Sequence, residues 1–324
     1  MPVLHLPCRV VSDIMEVLNN PSFEGSTVSP ATTINQLLVE GEALFQRHAL
    51  CFGHGTIDAW DEAVFLLAHA LNLGPIPDRS VLEVTVDNAA AAAVRALFKR
   101  RIDERIPAAY LTEKAWFCGL PMFVDQRVLV PRSPIAQLIT ERFHPWLASP
   151  PSDILDLCTG SGCIGIACAY AFPEARVLLS DICEQALAVA RINIQQHQCH
   201  QRVELLQSDL FGGLNDHQFD LIVSNPPYVD ATDFADMPDE YRHEPRLGLV
   251  SGDDGLDFTR RLLAQAKTYL RPGGALIVEV GNSALALERA FPRMPFTWLE
   301  FSDGDSGVFF LTREELFKSC QPAG

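Results

Sequence analysis

Residues 225–228 read Asn-Pro-Pro-Tyr, directly after the strand-like run FDLIVS. Each residue type has a chemical reason. Pro226 and Pro227 fix two φ angles and remove two N–H donors, so the stretch is stiff and presents carbonyl oxygens. Asn225 adds a side-chain carbonyl acceptor. A planar NH₂ group could donate one hydrogen to Asn225 and the other to the carbonyl of Pro226, with Tyr228 packed on the flat group to exclude water. Its nitrogen would then point in one fixed direction, ready to react. A carboxamide nitrogen shares its lone pair with its carbonyl and is a poor nucleophile. Holding that nitrogen in line with the group it attacks is worth roughly 7–11 kcal/mol. Drawing on both N–H bonds also stabilises the positive charge that develops during transfer. No general base of fixed position is evident, and the proton is acidic enough after transfer to leave to water. Alone, the tetrapeptide equally suits an ordinary turn after a strand.

A second group of residues supplies the missing half. DILDLCTGSGCIGIACAYAF begins as a buried strand, turns through Asp156, Thr159, Gly160, Ser161 and Gly162, and enters a helix rich in Ile and Ala. Glycine there lets backbone approach a ligand closely. The spacing is DxxTGSG, not the GxGxxG of dinucleotide sites, and Asp156 suits a ligand carrying an amino group instead of a phosphate. The next strand ends in Asp181, about 20 residues on, where a carboxylate can accept both hydroxyls of a ribose. A third strand ends at Asp209, placed to receive the exocyclic amine of an adenine. One aspartate at a strand end is usually a helix cap. Three after three successive strands describe a nucleoside pocket, and Asn225 follows the fourth.

These positions need a sheet to carry them. Candidate strands are Ile154–Cys158, Arg176–Ser180, Val203–Gln207, Phe219–Ser224, Ala275–Val280, Phe296–Phe301 and Val308–Thr312, with helical patterns between most of them. Such alternation implies an α/β fold with a mostly parallel sheet covered on both faces. Ligands bind at the carboxyl ends of its strands. Upstream, apolar periodicity predicts helices over Thr33–His48, residues 58–72 and an alanine-rich stretch 87–102. The reading is a small helical domain over 1–103, a β-hairpin linker over 104–136 with strands Met122–Val124 and Val128–Val130, and the sheet domain over 137–324. Residues 1 to about 30 read as a loose arm.

Composition limits the partners. The chain has 324 residues and a net charge of −16, so it has no overall positive field for nucleic acid, and no direct nucleic-acid binding is expected. Acidity does favour encounter with a basic protein. No apolar run of membrane-spanning length and no signal peptide is recognised. Nine cysteines without a CxxC pair fit a reducing, cytoplasmic setting. Cys199, His200 and His197 are read as a solvated helix end, with no metal site. The basic residues of RRLLAQAKTYLR, Arg260 to Arg271, are read as a solvated helix face.

The glycine turn, NPPY, RIPAAYLT (Arg105 to Thr112), EPRLGLVSGDDGLDF (Glu244 to Phe258) and EVGN (Glu279 to Asn282) together resemble the class I S-adenosylmethionine methyltransferases, and among them the protein-glutamine methyltransferases. The likeness covers roughly residues 50 to 315. It implies a Rossmann-like seven-stranded domain, S-adenosyl-L-methionine as cofactor, and Phe117 as an aromatic lining that cofactor. Members of the family modify either peptide-chain release factors or the large-subunit ribosomal protein three. Release-factor enzymes usually carry Pro-Arg-Pro-x-Thr-Glu after the hairpin. Here residues 130–136 read VPRSPIA, which, with FGHGT (Phe52 to Thr56), WDEA (Trp60 to Ala63) and EYRHEP (Glu240 to Pro245), is similar to the ribosomal-protein branch. A basic ribosomal protein, free or in an early assembly intermediate, is the implied substrate, selected by the helical domain and hairpin. A release-factor enzyme, an adenine methyltransferase acting on a flipped-out base and a non-catalytic binding module stay open at this point.

Overall fold

The computed structural model describes residues 32–74, 79–302, 304 and 307–319. The arm over residues 1–30 lies outside the described residues. The chain divides into two compact units, Met1–Thr112 and Glu113–Gly324.

In the first unit, helices α1 (Ile34–Arg47), α2 (Ala59–Ala70) and α3 (Asn88–Glu104) stand where the apolar periodicity places them, followed by the short α4 (Ala108–Thr112). Each long helix starts at a side-chain cap. Thr33 and Gln36 form a reciprocal capping box on α1, Asp58 caps α2, and Asp87 caps α3. Strands β1 (Thr32–Thr33) and β2 (Thr85–Val86) pair antiparallel beside them. Leu37, Phe45, Leu66, Val94 and Phe98 fill a closed apolar cluster. The same unit holds a buried ion pair. Arg101 and Glu62 are 0% and 1% exposed and hydrogen-bonded to each other. Arg101 Nη2 also donates to the carbonyl of Cys51 at 2.9 Å, and Thr56 Oγ1 donates to Glu62 Oε2 at 2.6 Å.

The second unit opens with a hairpin, β3 (Ala115–Phe117) against β4 (Leu120–Met122). This corrects the reading of strands over Met122–Val130. The turn falls at Cys118-Gly119, both with positive φ (50° and 74°), as a two-residue hairpin turn requires. Farther on, Asp125 accepts the backbone N–H of Arg127 in a local turn. The N–H of Val130 goes to the Glu244 carboxylate at 3.0 Å, so it has no ladder to join. Helix α5 (Ile135–Thr140) follows.

The remaining strands are β5 (Asp153–Leu157), β6 (Arg176–Asp181), β7 (Val203–Gln207), β8 (Phe219–Ser224), β9 (Leu270–Glu279), β10 (Thr297–Trp298) and β11 (Val308–Thr312). They form one seven-stranded sheet in the order β10-β11-β9-β8-β5-β6-β7. Strands β5 to β9 pair in parallel, and β11 runs antiparallel to β9 and β10. Helices α6 (Cys163–Ala171), α7 (Glu184–Gln196) and α10 (Asp257–Tyr269) cross between strands, and α8 (Ala231–Asp236) and α9 (Arg246–Leu249) are short turns after β8. The chain moves outward from β5 in one direction to β7, then returns to β8 on the other side. This reversal makes the crevice between β5 and β8 a topological switch point, where such sheets bind ligands. The architecture is the class I Rossmann-like fold expected from the sequence.

Replacing Glu62 by Ala strands the Arg101 guanidinium inside the helical unit, at a cost of about 3–5 kcal/mol. Denaturant unfolding followed by circular dichroism should show a transition shifted to lower denaturant by that amount. A shift below about 1 kcal/mol would mean that the pair adds nothing to the unit's stability.

Candidate active site

The strand ends deliver the expected residues to one cleft. After β5 the chain leaves the ladder at Cys158 (φ 58°), passes through Thr159, Gly160 and Ser161, and enters α6 at Gly162 (φ 84°). A Cβ on Gly160 would meet nothing within 4 Å, so the loop has open space above it. One on Gly162 would crowd Leu179, Ala190 and Ile166 at 3.2–3.3 Å. Gly160 therefore faces the cleft, whereas Gly162 lets α6 pack against β6 and α7.

Asp181, at the end of β6, accepts the N–H of Gly160 through Oδ2 at 3.0 Å and the N–H of Cys183 through Oδ1 at 2.9 Å. Each oxygen keeps a lone pair for a further donor. Burial raises its carboxyl above the ordinary range, against the pull of those backbone N–H groups. Asp209, after β7, is half exposed and accepts from Arg261 Nη2 at 2.7 Å through Oδ2. After β8, Asn225 and Tyr228 are part-buried, and the Asn225 amide has no partner among the described residues. Thr159, Gly160, Ser161, Asp181, Asp209, Asn225, Pro226, Pro227 and Tyr228 all line a single cleft of about 250 Å³.

Two segments singled out in the sequence form another wall. Arg132 donates to both carboxylate oxygens of Glu244, at 2.5 and 2.6 Å, and Val130 N–H joins the same group. The bidentate pair fastens the segment 130–136 to the segment 240–249. Pro131, Arg132, Ser133, Pro245, Leu247 and Leu249 line the cleft on this side.

Residues 137–238 match the methyltransferase small domain family. The ribosomal protein uL3 glutamine methyltransferase of Francisella tularensis subsp. tularensis (strain SCHU S4 / Schu 4) is 48% identical over 269 residues, which cover 82% of this chain and 86% of that protein. Its namesake in Neisseria gonorrhoeae (strain ATCC 700825 / FA 1090) is 47% identical over 292 residues, covering 88% and 96%. The chain belongs to the ribosomal protein uL3 glutamine methyltransferase family.

Within this member of the family, three expected site residues stand apart from the cleft. Asp156 is 0% exposed beneath the glycine loop. Its Oδ2 accepts Thr159 Oγ1 at 2.6 Å and Gly165 N–H at 2.9 Å, so it braces the loop against α6. Phe117 is buried in β3, and Gly162 is buried at the start of α6. Neither lines the cleft, because hairpin packing and helix packing consume them. His197 and Cys199 also depart from the reading of a solvated helix end. His197 Nε2 lies 2.8 Å from the Pro121 carbonyl and its Nδ1 3.1 Å from Tyr170 Oη, and Cys199 is buried with Sγ 3.7 Å from the Ile194 carbonyl. Arg260 and Arg261 do lie on a partly exposed face, each engaged by a carboxylate, Asp254 and Asp209.

Other residues were missed. Asn193 is fully buried on α7. Its Oδ1 accepts Phe123 N–H at 2.7 Å, and its Nδ2 donates to the carbonyls of Phe123 and Ser161 at 3.0 and 2.8 Å. It therefore ties the chain after the hairpin to the glycine loop. An asparagine among the apolar positions of a helix is the one signal that could have marked it. Ser224 was missed because it lies inside a strand pattern that accounts for it without a site, and Glu279, although it opens the EVGN motif, carried no role.

Burial pushes the Asp156 carboxyl up to about 7, despite the bonds from Thr159 and Gly165, and its Oδ1 has no partner. The unfolded value is 3.8. Between those values the folded state holds a proton that the unfolded state has lost, so this group's contribution to stability falls as pH rises across that window. The stability of the wild type relative to Asp156→Asn should decline from pH 4 to pH 7 in paired denaturant titrations. A difference independent of pH would show that Asp156 is already ionised in the fold.

Proposed function

We propose that this protein transfers a methyl group from S-adenosyl-L-methionine to the side-chain amide nitrogen of a glutamine in the large-subunit ribosomal protein uL3. The observation that carries this reading is the placement of Asn225, with its side-chain amide unengaged, in the same cleft as Gly160, Ser161 and Asp181. The donor set suits the cofactor. Open space over Gly160 admits a ligand against backbone, Asp181 retains acceptor capacity for ribose hydroxyls, and Asp209 Oδ1 is available to an adenine amine. When bound, the cofactor supplies an electrophilic methyl group on a sulfonium.

The chain's own residues do the rest. Asn225 Oδ1 and the Pro226 carbonyl accept the two amide hydrogens and orient the nitrogen. Pro227 fixes the backbone beyond, and the ring of Tyr228 covers the amide plane and keeps water out. The incipient positive charge spreads through the two hydrogen bonds, and the proton leaves to solvent after transfer.

Both curated relatives carry uL3 in their names, and a net charge of −16 favours encounter with a basic protein. The tetrapeptide reads only a planar NH₂ group, so the choice of glutamine falls to surfaces outside it, and we assign that choice to the helical unit with the segments 130–136 and 240–249. A ribosomal protein is largely covered by RNA once assembled. The substrate is therefore the free protein or an early assembly intermediate, met in the cytoplasm, and no direct nucleic-acid contact is required. No described helix is long and apolar enough to cross a membrane.

Asn225→Ala should lower turnover on uL3 by on the order of 100-fold while the cofactor Kd from calorimetry stays put; a parallel loss of cofactor binding would place Asn225 elsewhere. Asp181→Ala should do the reverse, weakening cofactor binding about tenfold or more. With labelled cofactor, free uL3 should be the good acceptor, and intact large subunits, release factors and DNA poor ones. Efficient labelling of release factor without labelling of uL3 would refute the substrate assignment.

A further inference from the structure

Tyr228 is held from four directions. Its hydroxyl donates to Glu279 Oε1 at 2.9 Å, and its carbonyl accepts from Ser283 Oγ at 2.7 Å. A Cβ on Gly281, whose φ is 44°, would lie 2.6 Å from the tyrosine ring, so the ring rests directly on backbone. A Cβ on Gly255 would lie 2.2 Å from the Tyr228 carbonyl oxygen.

Glu279 is the last residue of β9 and is 5% exposed. Its second oxygen accepts from Ser133 Oγ at 2.5 Å, and Ser133 Oγ in turn accepts the N–H of Ile135 at 3.2 Å. One carboxylate therefore grips the tetrapeptide and the segment 130–136 together. Ser133, Tyr228 and Glu279 all line the cleft. A buried carboxylate is costly unless hydrogen bonds compensate it, and methyl transfer to an amide makes no demand on Glu279 as acid or base.

We infer that Glu279 is a positioning residue: through Tyr228 and Ser133 it holds two walls of the amide slot at a fixed separation. This rests on the reading that the tetrapeptide holds the target amide. Tyr228→Phe deletes only the hydroxyl. Glu279→Gln keeps an acceptor oxygen and offers Ser133 Oγ a donor, whereas Glu279→Ala removes both links.

The test measures kcat and KM on free uL3 and the cofactor Kd for these variants. Turnover should fall on the order of tenfold in Tyr228→Phe and in Glu279→Ala, with cofactor Kd unchanged, and Glu279→Gln should retain most of it. The double variant should fall no more than about threefold below the worse single one, because the pair acts as a unit. Should Glu279→Ala fail to fold, the cycle of Tyr228→Phe with Ser133→Ala reads the same coupling through an intact Glu279. Losses that multiply, or full turnover in Tyr228→Phe, would overturn the inference. Full turnover in Asn225→Ala would instead overturn the reading of the tetrapeptide, so the two failures are told apart.

Discussion

Strands β5 and β8 lie side by side, in parallel, with Leu157 opposite Ser224. At that last rung Ser224 Oγ donates to the Leu157 carbonyl at 2.7 Å, both residues being buried. The next residues are Cys158, which starts the glycine loop, and Asn225, which starts the tetrapeptide. Adjacent strands thus bring the glycine loop and the tetrapeptide side by side in one cleft. In-line transfer tolerates little error in placement, so the register of this one pair constrains everything built on it. A shift of one residue would also turn every side chain of β8 to the other face of the sheet.

Much of this was legible in the sequence because it is local. Strand ends, glycine turns and prolines write their geometry into neighbouring residues, and the run from Asp153 to Tyr228 shows strand, turn and helix in order. The long-range ties were not legible. Glu244 reaches Arg132 and Val130 across 112 and 114 residues, Glu279 reaches Ser133 across 146, and Asn193 reaches Phe123 across 70. No periodicity reports such partners. The hairpin was misplaced because MFVDQRVLV reads as two apolar, strand-like runs around a polar centre, whereas Cys118 adopts a positive φ that a cysteine does not advertise. Asp156 poses a related ambiguity. An acidic residue three positions before a glycine turn looks the same whether it faces a ligand or braces the loop from beneath.

The carboxylates divide by burial. Asp156 lies under the loop with one oxygen unpartnered, and its acidity is weakened accordingly. Asp181 stands at the cleft with a backbone donor on each oxygen, and Asp209 stands at its open edge. Glu244 and Glu279 act as fasteners between segments distant in sequence. Of the −16 net charge, these groups bear on placement inside the fold, while the remaining exposed carboxylates set the long-range field that a basic partner meets.

The most direct measurement is the position of the transferred methyl group. Free uL3 incubated with the protein and labelled S-adenosyl-L-methionine, digested and read by tandem mass spectrometry, should carry a single methyl group on the side-chain amide nitrogen of one glutamine. Label on a lysine, on a terminal amine or on a nucleic-acid base, with no glutamine modified, would contradict the placement of a planar carboxamide between Asn225, Pro226 and Tyr228.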